Sequence, residues 1–123
     1  ITDARRRIFR RYYERLSPLQ KKGVIQLPPE DIECTGNGHM FYIITRSLGE
    51  RTSLIQHLKA QHIHAVFHYV PLHSSPAGAK YGRTSGDMTV TNFISDRILR
   101  LPMYYEMRDE DIERVSHAVE TFF

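Results

Sequence analysis

The chain has 123 residues, a formal net charge of +3, 41% hydrophobic and 25% charged residues, and a single cysteine. That length supports one core, and one cysteine excludes an internal disulfide framework and fits a reducing, cytoplasmic setting. No apolar run approaches the roughly 18 residues of a membrane span, and the basic opening Arg5-Arg6-Arg7 is not followed by the apolar stretch of a signal peptide.

The sequence opens at Ile1 without a methionine and becomes helical in pattern within a few residues, as a piece of a longer protein would. Ile8, Phe9, Tyr12, Tyr13 and Leu16 recur at helical spacing, so a helix is predicted over 3–16, stopped or kinked at Ser17-Pro18 by the missing amide donor. Arg5, Arg6, Arg7, Arg10, Arg11 and Arg15 make this helix basic. Such a stripe binds polyanions in some proteins, but no stacking aromatics or helix-turn-helix pattern accompany it, so it reads as a solvated face.

Pro28-Pro29 opens a polar loop through Gly38. His39 to Thr45 reads as a strand with apolar residues on both faces, hence central and covered. Glu50 to Gln61 returns to helical spacing, and a second strand follows over 64–69, firmest at 65–69. Residues 71–90, with two prolines and three glycines, read as a long mobile loop. A short helix over 92–98, a strand over 99–103 ended by Pro102, and a last helix capped by Asp109 complete the order. Three strands and their helices give a small α/β (α+β) sandwich with the helices layered on one side, leaving the other face of the sheet in need of cover.

The run Ala65 to Gly78 concentrates polar chemistry where a strand opens into a loop. His62, His64, His68 and His73 fit no compact zinc signature, and Cys34 is distant, so no metal site is expected. His62 and His64 read as surface histidines at a helix-to-strand turn. Ser74 and Ser75 lack the Gly-x-Ser-x-Gly elbow of a nucleophile, and Gly36-Asn37-Gly38 lacks a phosphate-binding pattern. Lys21, Lys22, Lys59 and Lys80 lack the apolar surroundings that would ready a lysine for Schiff-base chemistry. No complete catalytic set is present. His68, Tyr69 and His73 are either a binding surface edged by the 74–90 loop or satisfied residues at the border of the core.

Several segments together resemble the C-terminal part of the DegT/DnrJ/EryC1/StrS aminotransferases: Arg11 to Leu16, Gly38 to Ile43, Ala65 to Gly78 and Ser95 to Tyr105. The run Val66 to His73, followed by Pro76-Ala77-Gly78, is most similar to members that aminate C4 of a dTDP-4-keto-6-deoxyhexose for surface-polysaccharide synthesis, enterobacterial common antigen included. The resemblance implies a fold type I enzyme dependent on pyridoxal phosphate, using a dTDP-sugar and an amino-acid donor, cytoplasmic and dimeric, without nucleic-acid or membrane partners. Residues 1–123 then form one domain: a leading helix near 3–16 and a small C-terminal domain over about 17–123. The cofactor-binding large domain, with its Ser-Phe-His-x-x-Lys stretch, lies outside this sequence. The resemblance therefore implies no catalytic residue here, no cofactor bound to this chain alone and no activity from it in isolation. It carries over His68, Tyr69 and His73 as substrate-binding residues, and Asn37-Gly38-His39 as a structural turn. The competing class is a stand-alone anion- or partner-binding module without catalysis.

Overall fold

Ile8, Tyr12, Leu16 and Leu19 form one buried stripe along α1 (Thr2–Lys21), in a computed structural model that describes residues 1–29 and 36–123. The helix runs through Pro18 instead of ending at Ser17. Burial of Leu19 holds the last turn against the core, and the Ser17 hydroxyl donates to the Tyr13 carbonyl at 2.6 Å. Tertiary packing thus overrides the local break that proline imposes. The helix stops at Gly23, whose φ of 73° sets a left-handed cap: the Gly23 amide donates to Gln20 and that of Val24 to Leu19.

The sheet is antiparallel with strand order β1-β3-β2, where β1 is Phe41–Ile44, β2 is Val66–Phe67 and β3 is Ile98–Leu101. β3 is the middle strand, pairing Phe41 with Leu101 on one side and Val66 with Arg100 on the other. The expectation that β1 is central is therefore corrected: it is an outer strand, flanked beyond by a single bridge from Ile44 to Gln26. Apolar side chains on both faces report what covers a strand, not which strands lie beside it. The regular part of β2 is also shorter than the predicted 64–69, because Tyr69, at φ 50°, turns the chain out of the sheet.

Phe41 and Ile43 of β1 and Leu99 and Leu101 of β3 point to one face and are buried there. They meet α1, α2 (Leu48–Ala60) through Leu54 and Leu58, and α5 (Asp109–Glu120) through Ile112, Val115 and Val119. These three helices are layered on one side, but the expected single layer is corrected: the later helix carrying Val90 and Ile94 lies by Ile98 on the opposite face. Phe41 stacks on Tyr12 with ring centroids 5.1 Å apart, and the Tyr12 hydroxyl donates to the Pro102 carbonyl at 2.9 Å. Burial, reinforced by Tyr104 and Asp111, pushes that phenol far above its ordinary pKa, so it remains a donor.

Ser47 caps α2 by accepting from the Glu50 amide, and His62 (φ 57°) closes the other end in the same left-handed conformation as Gly23. For α5 the cap position is Arg108, with Asp111 accepting from the Arg108 amide at 3.4 Å; Asp109, expected as the cap, is the first helical residue and pairs with Arg7. The supposed long loop over 71–90 is largely helical: a 3-10 turn at Leu72–Ser74, then α3 (Pro76–Tyr81) and α4 (Thr89–Ser95). α4 accordingly starts and ends three residues earlier than the predicted 92–98, and β3 ends before Pro102. The middle of the polar loop after Pro29, with Cys34, lies outside the described residues.

Candidate functional site

The opposite face of the sheet carries Tyr42 and Ile44 of β1, Ile98 and Arg100 of β3, and Val66 of β2, set by the strand register. The chain leaves this face at His68 and Tyr69. Their rings are 4.7 Å apart; Tyr69 is 71% exposed, whereas His68 is partly buried, and its Nδ1 has no hydrogen-bond partner among the described residues. Burial pulls the His68 pKa below its ordinary value, and the positive charges of Arg100 and His39 lower it further. His68 is thus a neutral imidazole near pH 7, able both to donate and to accept.

His68 and Tyr69 line a cleft of about 470 Å³ whose walls are apolar, from Val70, Val90, Ile94 and Ile98. His73 lies in an adjoining, wider cavity of about 930 Å³ with Arg83 and Ser85, and Thr91 borders both. The three residues singled out in the sequence therefore occupy two neighbouring cavities along α4. His73 Nε2 is 2.8 Å from Asn92 Oδ1, a pairing in which Nε2 holds the proton, so its ring is fixed to α4.

Local chemistry explains the placement of His73. Ser75 caps α3, its hydroxyl accepting from the Gly78 amide at 2.9 Å, and Pro76 takes the first helical position. Gly78 is required by contact: a Cβ there would lie 1.5 Å from the Leu72 carbonyl oxygen. The Ser-Pro pair was a legible helix start that the proline and glycine content of the segment masked. Asn92 offered no sequence signal, whereas Arg100 did: it is one cation in an otherwise apolar strand.

Several other candidates have structural roles or stand exposed. Ser74 and Ser75 donate to the carbonyls of Pro71 and Leu72. His62 and His64 are exposed. Asn37 Oδ1 accepts from the His39 amide, and Gly38 (φ 62°) lies so close to α1 that a Cβ would meet the Arg5 backbone at 2.9 Å. The arginine stripe of α1 is not simply solvated. Arg7 pairs with Asp109, Arg11 and Arg15 with Glu113, and Arg15 also with Glu120, joining α1 to α5. Among the described residues no group of three or more His, Cys, Asp or Glu could hold a metal ion, and no helix is long and apolar enough to cross a membrane.

This architecture is found within solved aminotransferases. S. venezuelae DesV, in complex with a ketimine intermediate, superposes with a TM-score of 0.84 at 27% identity, over 98% of this chain and 31% of that one. A DegT DnrJ EryC1 StrS aminotransferase from Brucella abortus gives a TM-score of 0.82 at 29% identity, over 98% and 31%. The DegT/DnrJ/EryC1/StrS aminotransferase family model matches residues 1–120, and the chain belongs to that family. Among its relatives, the dTDP-3-amino-3,4,6-trideoxy-alpha-D-glucose transaminase of Micromonospora megalomicea is 30% identical over 94% of this chain and 32% of its own length. The UDP-N-acetyl-3-dehydro-alpha-D-glucosamine 3-aminotransferase of Acidithiobacillus ferrooxidans is also 30% identical, over 95% and 30%. The chain thus spans about a third of the length of these relatives.

The family implies pyridoxal phosphate, which fold type I enzymes hold through a lysine. The residues present do not fit that task. Lys21, Lys22, Lys59 and Lys80 are all exposed, and Lys80 lies over the Tyr81 ring, 4.9 Å from its centroid, instead of entering a cavity.

Proposed function

We propose that this chain is the sugar-side, C-terminal part of a cytoplasmic, dimeric, pyridoxal-phosphate-dependent sugar-nucleotide aminotransferase, and that the cofactor is held by polypeptide outside it. The observation that carries the reading is the cleft of His68 and Tyr69, opening beside the face of the sheet opposite the helical layer, in a chain whose fold and family are those of aminotransferases. A hexose presents hydroxyls to be oriented and an apolar ring face to be covered. Neutral His68 and the Tyr69 phenol supply donors and acceptors. Val70, Val90 and Ile94 supply an apolar wall for the ring face. His73, held by Asn92, borders the adjoining cavity, large enough for the continuation of a nucleotide.

Within this class we assign the parent as a dTDP-4-amino-4,6-dideoxygalactose transaminase, aminating C4 of a dTDP-4-keto-6-deoxyhexose with an amino-acid donor. The support is the run Val66 to His73 with Pro76-Ala77-Gly78. The named relatives carry amino groups at position 3, so regiochemistry is the point to test. In the parent enzyme, His68→Ala or His73→Ala is expected to lower kcat/KM for the sugar nucleotide by on the order of 5- to 150-fold. The half-reaction with the amino donor is expected to stay near normal. Collapse of both half-reactions would make these residues structural, and a product aminated at C3 would overturn the C4 assignment. The 123-residue chain alone is expected to show no transamination and no lysine trapped by borohydride with the cofactor.

A further inference from the structure

We propose that the face of the sheet opposite the helical layer carries a site for a small oxyanion, a carboxylate or a phosphate group, built on Arg100 with His39 and His64 beside it. Arg100 projects from the middle strand between Tyr42 and Val66, its partners in register, and is partly buried. It lines a cavity of about 260 Å³ with Arg5, His39 and His64, and among the described residues no acidic side chain contributes to the lining. Arg5 is already engaged, donating through Nε to the Gly38 carbonyl at 2.8 Å and through its terminal nitrogen to that of His39. Among the described residues, Arg100 has neither an ion pair nor a side-chain hydrogen bond.

A partly buried guanidinium among further basic groups, beside the apolar Val66 and Leu101, is an unfavourable arrangement unless an anion joins it. The planar fork of arginine matches the two oxygens of a carboxylate or phosphate, and imidazoles add donors when protonated. The volume suits one such group with a few waters and is too small for a whole nucleotide sugar. His68 senses the same cations from the neighbouring cleft, which makes the two places electrostatically continuous. The site stands whether or not the chain serves an aminotransferase. In that enzyme the carboxylate of an amino donor and a phosphate of the sugar nucleotide are the two sources of the required chemistry.

The test is an NMR titration of the 123-residue chain with sodium acetate and, separately, with inorganic phosphate, at neutral pH and constant ionic strength held with chloride. Saturable shifts at the Arg100 Nε–H and at the His39 and His64 rings are expected with one of the two ligands, which identifies the source. Arg100→Gln is expected to weaken binding about tenfold or more, and Arg10→Gln, on the exposed side of α1, to leave it unchanged. Should Arg100→Gln fail to fold, Arg100→Lys keeps the charge without the fork and is expected to weaken binding measurably. Shifts that rise without saturating for both ligands, or equal dissociation constants in the wild type and the folded Arg100 variant, would overturn the site.

Discussion

The helical layer and the opposite face of the sheet both carry arginine, and they treat it in opposite ways. Along the helical layer, Arg7, Arg11 and Arg15 of α1 find Asp109, Glu113 and Glu120 of α5, so half of a stripe that looks basic in sequence is paired within the fold. On the opposite face Arg100 stands with Arg5, His39 and His64 and, among the described residues, without an acid in the lining. Cation count does not distinguish these regions; the presence of a carboxylate partner does.

The largest expected effect tests the packed side. Leu99→Ala removes a fully buried side chain between the helices and the sheet and is expected to cost about 2–5 kcal/mol, read from denaturant midpoints at constant slope. A cost near that of a surface change would mean the helical layer is not the core. Glu113→Gln, which breaks the bridges of Arg11 and Arg15 at once, is expected to cost about 0.5 kcal/mol or less, because these side chains are about 40% exposed. That difference should fade as salt is raised.

On the opposite face Arg100→Gln should likewise change stability at neutral pH by only about 0.5 kcal/mol or less, in either direction. Its signature is instead in pH. Because His68 is held below its ordinary pKa, the unfolded chain binds a proton more readily than the folded one. The contribution is complete above the unfolded imidazole value of about 6.5 and is lost as pH falls below it. Removing the Arg100 charge should raise the His68 pKa and soften that loss, as a ring-proton titration with stability curves at two pH values would reveal. An unchanged His68 titration would separate the two cavities.

Periodicity made the helical layer legible. Ile8, Tyr12 and Leu16, or Ile112, Val115 and Val119, report their buried face directly, because one stripe meets one core. Strand order was not legible, since Phe41 to Ile44 reads apolar on both faces wherever it sits in the sheet. Pro18 and Ser75-Pro76 misled in opposite directions: proline suggested a break where Leu19 burial carries the helix on, and a loop where it starts one. Of the candidate site, His68 and Tyr69 were visible as the polar end of a strand. The ties from His73 to Asn92 and from Arg100 to its neighbours depend on side chains brought together from distant parts of the chain.

The left-handed turn at the end of α2 has a consequence for engineering. Gly23 adopts that conformation at little steric cost, but His62 adopts it with a side chain that clashes with its own backbone there. His62 is exposed, so its imidazole contributes nothing to the core in return. The chain thus holds an unused margin of heat resistance at a single solvent-facing position: a glycine there would make it hardier while leaving both faces of the sheet, and whatever they bind, as they are.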